Sequence, residues 1–185
     1  MSQDNIQRLP RSVTALGGPL TISGPDHTGI LMPAQLQPVQ PRHYPRIVGW
    51  LDSVAATQRW AGPGVAFPLL PEAFAQALEL AERPGWVLLD GKGTCMGFGQ
   101  YWLTAPGTAH LGRIIVSPQA RGRGLGRVLM QLLCAEALRS PDVQRLSLRV
   151  YRDNVAAFAL YRDFGFQPVE DASTPELLFM QRSEG

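Results

Sequence analysis

Residues 113–138 read RIIVSPQARGRGLGRVLMQLLCAEAL, and this stretch decides the fold. Ile114, Ile115 and Val116 are β-branched and favour a strand. Ser117-Pro118 stops it, because proline has no N–H to donate to a ladder hydrogen bond. From Leu125 the apolar residues recur at Leu125, Val128, Leu129, Leu132 and Leu133, the spacing of a helix with one buried face. The order is strand, glycine loop, helix.

The loop holds Gly122, Gly124 and Gly126 at alternate positions. Glycine admits backbone angles closed to other residues and lets a ligand approach main-chain N–H groups. The amides of a first helical turn have no intrahelical partner, and with the helix dipole they form an anion site. Arg121, Arg123 and Arg127 add positive charge, so a phosphate or pyrophosphate is the natural guest. A Walker loop would need Gly-Lys-Ser/Thr, whereas Gly126 precedes Arg127-Val128; the dinucleotide fingerprint G-x-G-x-x-G does not match the G-x-G-x-G spacing either. RNA-binding Arg-Gly segments recur in polar low-complexity tracts, and this one occurs once, between a strand and an amphipathic helix.

The run from Val116 to Gly126, VSPQARGRGLG, resembles the acyl-coenzyme-A signature of the GCN5-related N-acetyltransferases, Arg/Gln-x-x-Gly-x-Gly/Ala, with Arg121, Gly124 and Gly126 in the defining places. The resemblance implies that the amides of Arg121, Gly122, Arg123, Gly124, Leu125 and Gly126 hold the coenzyme A pyrophosphate. It also implies that Ile115 and Val116 pair their backbone with the pantetheine arm. A second segment, residues 154–166 (NVAAFALYRDFGF), resembles the family's other motif, in which an Asn, a small residue, a Tyr and a Gly-Phe recur. Asn154 is a good helix N-cap there, Gly165 a helix stop, and Asn154, Ala157, Phe158 and Tyr161 share one helical face. By resemblance that face looks onto a bound thioester; taken alone, Tyr161 reads as a tyrosine packed by Phe158.

Composition sets the frame. The chain has 185 residues, 45% hydrophobic and 17% charged, with a net charge of +2, enough to bury the core of a single domain. The arginines are dispersed except at the loop, which gives no nucleic-acid or membrane surface. No apolar run approaches membrane length, and the reading is a soluble cytoplasmic protein for which a homodimer is an admissible assembly. Cys95 and Cys134 have no metal-like spacing and read as reduced packing residues, so no metal site is expected.

Residues 1–35 form an irregular extension broken by Pro10, Gly17-Gly18-Pro19, Gly24-Pro25 and Pro33, with one short strand at Leu20–Ile22 and a solvated His27. The acetyltransferase-like domain spans 36–185. Its first strand lies at Leu36, a helix over 43–57 follows, then a loop with Trp60 and Phe67, then a helix from Pro71 to about residue 83. By resemblance this part forms the acceptor side, where Trp60 and Phe67 either shape the cleft or anchor the loop. Gly85–Leu89 and residues 95–103 flank the hairpin turn Asp90-Gly91-Lys92-Gly93. The strand before the glycine loop follows, and later strands fall at 146–150, 166–169 and 177–181. The order β-α-α-β-β-β-α-β-α-β-β gives an α/β fold with a central mixed sheet flanked by helices, as the resemblance also implies.

The resemblance implies direct transfer of acetyl from acetyl-CoA, used as co-substrate, to a primary amine of a small molecule or peptide. A non-catalytic acyl-CoA-binding or regulatory module on the same fold is the alternative. By resemblance the Val116 N–H polarises the thioester carbonyl and the Tyr161 hydroxyl faces the sulfur. A phenol near 10 would protonate a thiolate whose acid is near 8.5 at a cost of about 2 kcal/mol, so Tyr161 suits a hydrogen bond better than full proton transfer. Relatives often carry a Glu on the strand before the loop; residues 109–114, AHLGRI, have none, and His110 is the only titratable base there.

Overall fold

The computed structural model describes residues 20–22 and 34–183. Eight strands form one sheet: β1 (Leu20–Ile22), β2 (Ala34–Pro38), β3 (Gly85–Leu89), β4 (Cys95–Ala105), β5 (Thr108–Val116), β6 (Arg145–Tyr151), β7 (Gln167–Pro168) and β8 (Leu177–Ser183). Their order is β1-β2-β3-β4-β5-β6-β8-β7, with β5–β6 as the parallel pair and every other pair antiparallel. The parallel pair requires a crossover, which α4 (Leu125–Ala137) supplies.

One face of the sheet carries α4 and α5 (Val155–Asp163). Leu129, Met130, Leu132 and Leu133 of α4 are fully buried there against Leu111, Leu146 and Leu148. Gly97 and Gly99 on β4 let the helix come close: a Cβ on Gly99 would meet Leu133 at 2.8 Å and one on Gly97 would meet Leu129 at 3.1 Å. The opposite face carries α1 (Tyr44–Val48), α2 (Val54–Ala61) and α3 (Phe74–Ala77) over Val87, Leu89 and Phe98.

The helix expected over 43–57 is two helices. The chain turns at Gly49, and Ser53 opens α2 by accepting the Ala56 N–H at 3.2 Å, so the apolar period continues through a break that the local chemistry imposes. The helix expected from Pro71 is a 3-10 turn and a four-residue α3. Trp60, expected in a loop, lies on α2. The short strand at Leu20–Ile22 is present and pairs with β2; Leu20 is 1% exposed in the α4-side core. The sheet therefore reaches back across the boundary expected at residue 36. His27 lies outside the described residues. Cys95 and Cys134 are buried and outside any disulfide, and among the described residues no helix is long and apolar enough to cross a membrane.

Candidate active site

The sheet opens at one place. β5 and β6 pair from Thr108↔Arg145 to Leu111↔Leu148 and then part, although β5 runs on to Val116 and β6 to Tyr151. Separation begins where β5 bulges: Arg113 has φ +52, and the register against β4 shifts between Phe98 and Gln100. The sequence carries a trace of this bulge, because the buried period of two at Ala109 and Leu111 resumes at Ile114 and Val116, one residue out of step. The opened seam exposes strand edges with no partner strand.

Alternation fixes which groups face the seam. The Ser117 N–H donates to the Met96 carbonyl at 2.9 Å, so the Ser117 backbone faces β4 and the Val116 N–H faces the seam. Ile115, expected to share the pantetheine-pairing role, is opposite Phe98 with its backbone turned to β4, and its side chain packs in the α1–α3 core. Of the two, Val116 alone turns its N–H to the seam.

The glycine loop closes the mouth of the seam. Gly122 and Gly124 both have φ +73, and a Cβ on either would meet nothing within 4 Å, so their glycines serve backbone conformation and open approach. Gly124 is the left-handed N-cap of α4 and provides no side-chain cap. Gly126 is ordinary helix; the expectation that all three glycines serve unusual angles holds for two of them. The N–H groups of residues 122–126 make no hydrogen bond to described residues, whereas those of Arg121 and Arg127 donate to Pro118 and Gly124. Arg121 and Arg123 are exposed without ion pairs among the described residues. Arg127, expected to add charge to the loop, instead pairs with Asp163 and lies 5.6 Å from the Phe164 ring, tying the first turn of α4 to the end of α5. Five orphan amides and two uncompensated guanidiniums fit a pyrophosphate.

On α5, Asn154 accepts the Ala157 N–H at 3.2 Å and so caps the helix, while Ala157 and Phe158 pack on the α4-side core. Tyr161 is 8% exposed, with its ring edge-on to Phe166 at 6.3 Å and Cys134 beside it. Burial pushes its hydroxyl up to about 12. At that value, proton donation to a thiolate would cost about 5 kcal/mol, more than for an unperturbed phenol.

His110 is not placed as a base. It lies in the paired part of β5, its Nδ1 3.0 Å from Ser147 Oγ and its ring against Trp102 and Phe179. Burial, with Arg149 and Arg83 nearby, lowers it to about 4, so it is neutral at pH 7 but weakly basic. The sign is that of a depressed base. The contribution is intact above the unfolded value of 6.5 and is lost as pH falls towards 4. The unfolding free energy is expected to drop by about 2.5 kcal/mol between pH 7 and 4.5 from this group alone. Urea titrations at the two pH values should show that difference shrinking in His110→Gln; an unchanged difference refutes the assignment.

On the α2 side the Trp60 Nε1 donates to the Arg113 carbonyl at 2.7 Å and the ring lies edge-on to Phe98, so Trp60 anchors the bulge. Phe67 is 38% exposed. Arg113 is partly buried, with its guanidinium on the Leu78 carbonyl, Gln100 and Glu79. Arg59 grips Asp153 with two hydrogen bonds, of 2.6 and 3.1 Å, and stacks 4.2 Å over Tyr151, bridging α2 to the end of β6. A cavity of about 760 Å³ lined by Arg42, His43, Arg46, Asp90 and Cys95 lies away from the seam and touches none of these groups.

A parted parallel pair followed by a bare-amide helix start is the geometry of an acyl-CoA cleft, and residues 51–166 match the model of the Acetyltransferase (GNAT) family. The chain belongs to the GNAT family. Among its relatives, a putative ribosomal protein bS18-alanine N-acetyltransferase of Bacillus subtilis (strain 168) is 33% identical over 92 residues, covering 49% of this chain and 60% of that protein. A mycothiol acetyltransferase of Beutenbergia cavernae is 37% identical over 117 residues, covering 56% and 38%. This GNAT chain thus spans 60% or less of the length of these curated relatives. Among solved structures, an aminoglycoside acetyltransferase in complex with coenzyme A superposes with TM-score 0.65 at 17% identity, covering 82% of this chain and 95% of the other. Spermidine N-acetyltransferase from Vibrio cholerae, with CoA and spermine, gives 0.65 at 18%, covering 81% and 95%. At that identity the likeness is one of fold.

Proposed function

We propose that this GNAT chain is an acetyl-CoA-dependent N-acetyltransferase acting on a primary amine of a small molecule or peptide. The observation that carries the reading is the row of partnerless amides from Gly122 to Gly126 at the mouth of the β5–β6 seam. Acetyl-CoA supplies an activated acyl carbon; the C–N bond forms, the C–S bond breaks, and the proton shed by the amine balances the thiolate. Arg121, Arg123 and the loop amides bind the pyrophosphate. The Val116 N–H hydrogen-bonds the carbonyl oxygen where negative charge develops. Tyr161 donates a hydrogen bond to the departing sulfur.

Amine deprotonation is the step without a carboxylate on β5. At pH 7 a lysine-like amine near 10.4 costs about 4.6 kcal/mol to deprotonate, and an α-amine near 7.8 about 1 kcal/mol. The reading therefore favours an acceptor of low basicity. Incubating the protein with acetyl-CoA and a panel of amines and peptides should release free thiol in proportion to acetylated product. Coenzyme binding without turnover across the panel would support the non-catalytic module instead, and a kcat/KM that rises only above pH 9 for every acceptor would refute the preference for low basicity.

A further inference from the structure

The seam has two sides, and the chain fills them differently. On β6, Leu148 and Val150 turn into the α4-side core, so Arg149 and Tyr151 face the side of α2. Arg149 is the first residue beyond the last β5–β6 pair, at the apex of the opening. Its guanidinium stacks 5.2 Å from the Phe179 ring and makes one long contact, 3.4 Å, from Nη1 to the Ala172 carbonyl. It is exposed and forms no ion pair with any described carboxylate.

Four arginines around the seam are held in ion pairs. Arg59 is held by Asp153, Arg83 and Arg113 by Glu79, and Arg152 by Glu170. These pairs take up Asp153, Glu79 and Glu170. Asp171, exposed one residue before Ala172, makes no ion pair with Arg149. The apex thus presents a stacked guanidinium in no ion pair, with one exposed carboxylate near it, Asp171, that is in none either. A planar fork held on an aromatic ring is suited to bidentate capture of an oxyanion.

We propose that the acceptor is a primary amine that itself carries an oxyanion, carboxylate or phosphate, and that Arg149 binds that group and so aims the nitrogen into the seam. The proposal rests on the acetyltransferase reading and deepens it. Arg149 repels a bare ammonium but attracts one that brings its own anion, which selects against polycations by charge alone.

The test compares matched acceptors: glycine with glycinamide, β-alanine with its amide, and phosphoethanolamine with ethanolamine, with spermidine as the polycation. In each favoured pair the oxyanion-bearing member is expected to have a kcat/KM about tenfold higher, equivalent to roughly 1.4 kcal/mol. Whether the carboxylate pairs or the phosphate pair gains more identifies the group. Arg149→Ala should erase the preference by raising the acceptor KM, with the coenzyme Kd unchanged and the neutral member little affected; Arg149→Lys should restore part of it. Calorimetric titration of the same amines into the coenzyme-A-bound protein gives a readout independent of turnover, and the oxyanion-dependent binding should vanish in Arg149→Ala. Spermidine as the better acceptor, or an Arg149→Ala that weakens both members of every pair equally, would overturn the proposal while acetyl transfer stands. Failure of coenzyme binding would instead fall on the functional reading, and calorimetry on the free protein, showing oxyanion binding lost or kept in Arg149→Ala, would still decide the role of Arg149.

Discussion

Gly124→Asp is expected to weaken coenzyme A binding by at least two orders of magnitude while leaving the fold in place. Gly124 is left-handed with open space around it, and aspartate is among the residues that tolerate that conformation, so the substitution has no neighbour to displace. What it changes is charge. A carboxylate would stand beside the orphan amides of residues 122–126 and repel a pyrophosphate. Two unit charges about 4 Å apart interact by about 4 kcal/mol at the effective dielectric of a protein surface, and salt reduces that towards the roughly 3 kcal/mol that a hundredfold loss requires. Calorimetric titration of coenzyme A reads the affinity, and a melting curve of the ligand-free variant checks the fold. A variant that melts normally and binds coenzyme A as tightly as the parent would remove the glycine loop from the site.

Tyr161→Phe is expected to lower kcat by about a hundredfold with the coenzyme Kd unchanged, the scale at which a positioned donor acts in a transition state. The variant keeps the ring against Phe166 and Cys134 and deletes the hydroxyl alone. The ring supplies most of the buried contact, so removing the hydroxyl should change stability by no more than about 1 kcal/mol. A loss of stability with kcat intact would mark Tyr161 as a packing residue. A loss of turnover at constant stability and constant affinity assigns it to chemistry and rules against the non-catalytic module.

The loop and its helix were legible because their signals are local. Glycine at 122 and 124, an apolar stripe from Leu125 and a cap at Asn154 each act within one turn of chain. The part of the site that depends on distant segments was not legible in the same way. The parting of β5 from β6 depends on a bulge at Arg113 that Trp60 ties down from 53 residues away. The diversion of Arg127 to Asp163 spans 36 residues, and nothing in the loop's own composition announces it. His110 illustrates the same limit: a strand histidine reads as a titratable base until the ring is seen under Trp102 and Phe179 with Ser147 on its nitrogen. The split of the first long helix was legible in principle, since Gly49 and Ser53 are a stop and a start, but the apolar period across them is unbroken.

The opened seam divides the labour of recognition by kind of atom. With the thioester arm bound as proposed, its contacts would fall to amides and carbonyls, which every residue brings, so substitutions along β5 and the loop edge could accumulate without erasing them. On the side proposed for the acceptor the contacts would fall to side chains such as Arg149, and one codon rewrites them. A scaffold partitioned in this manner can change its customer while keeping its currency, and new acceptor preferences should arise from replacements on the α2 side of β6 far more readily than new donor preferences arise anywhere in the chain.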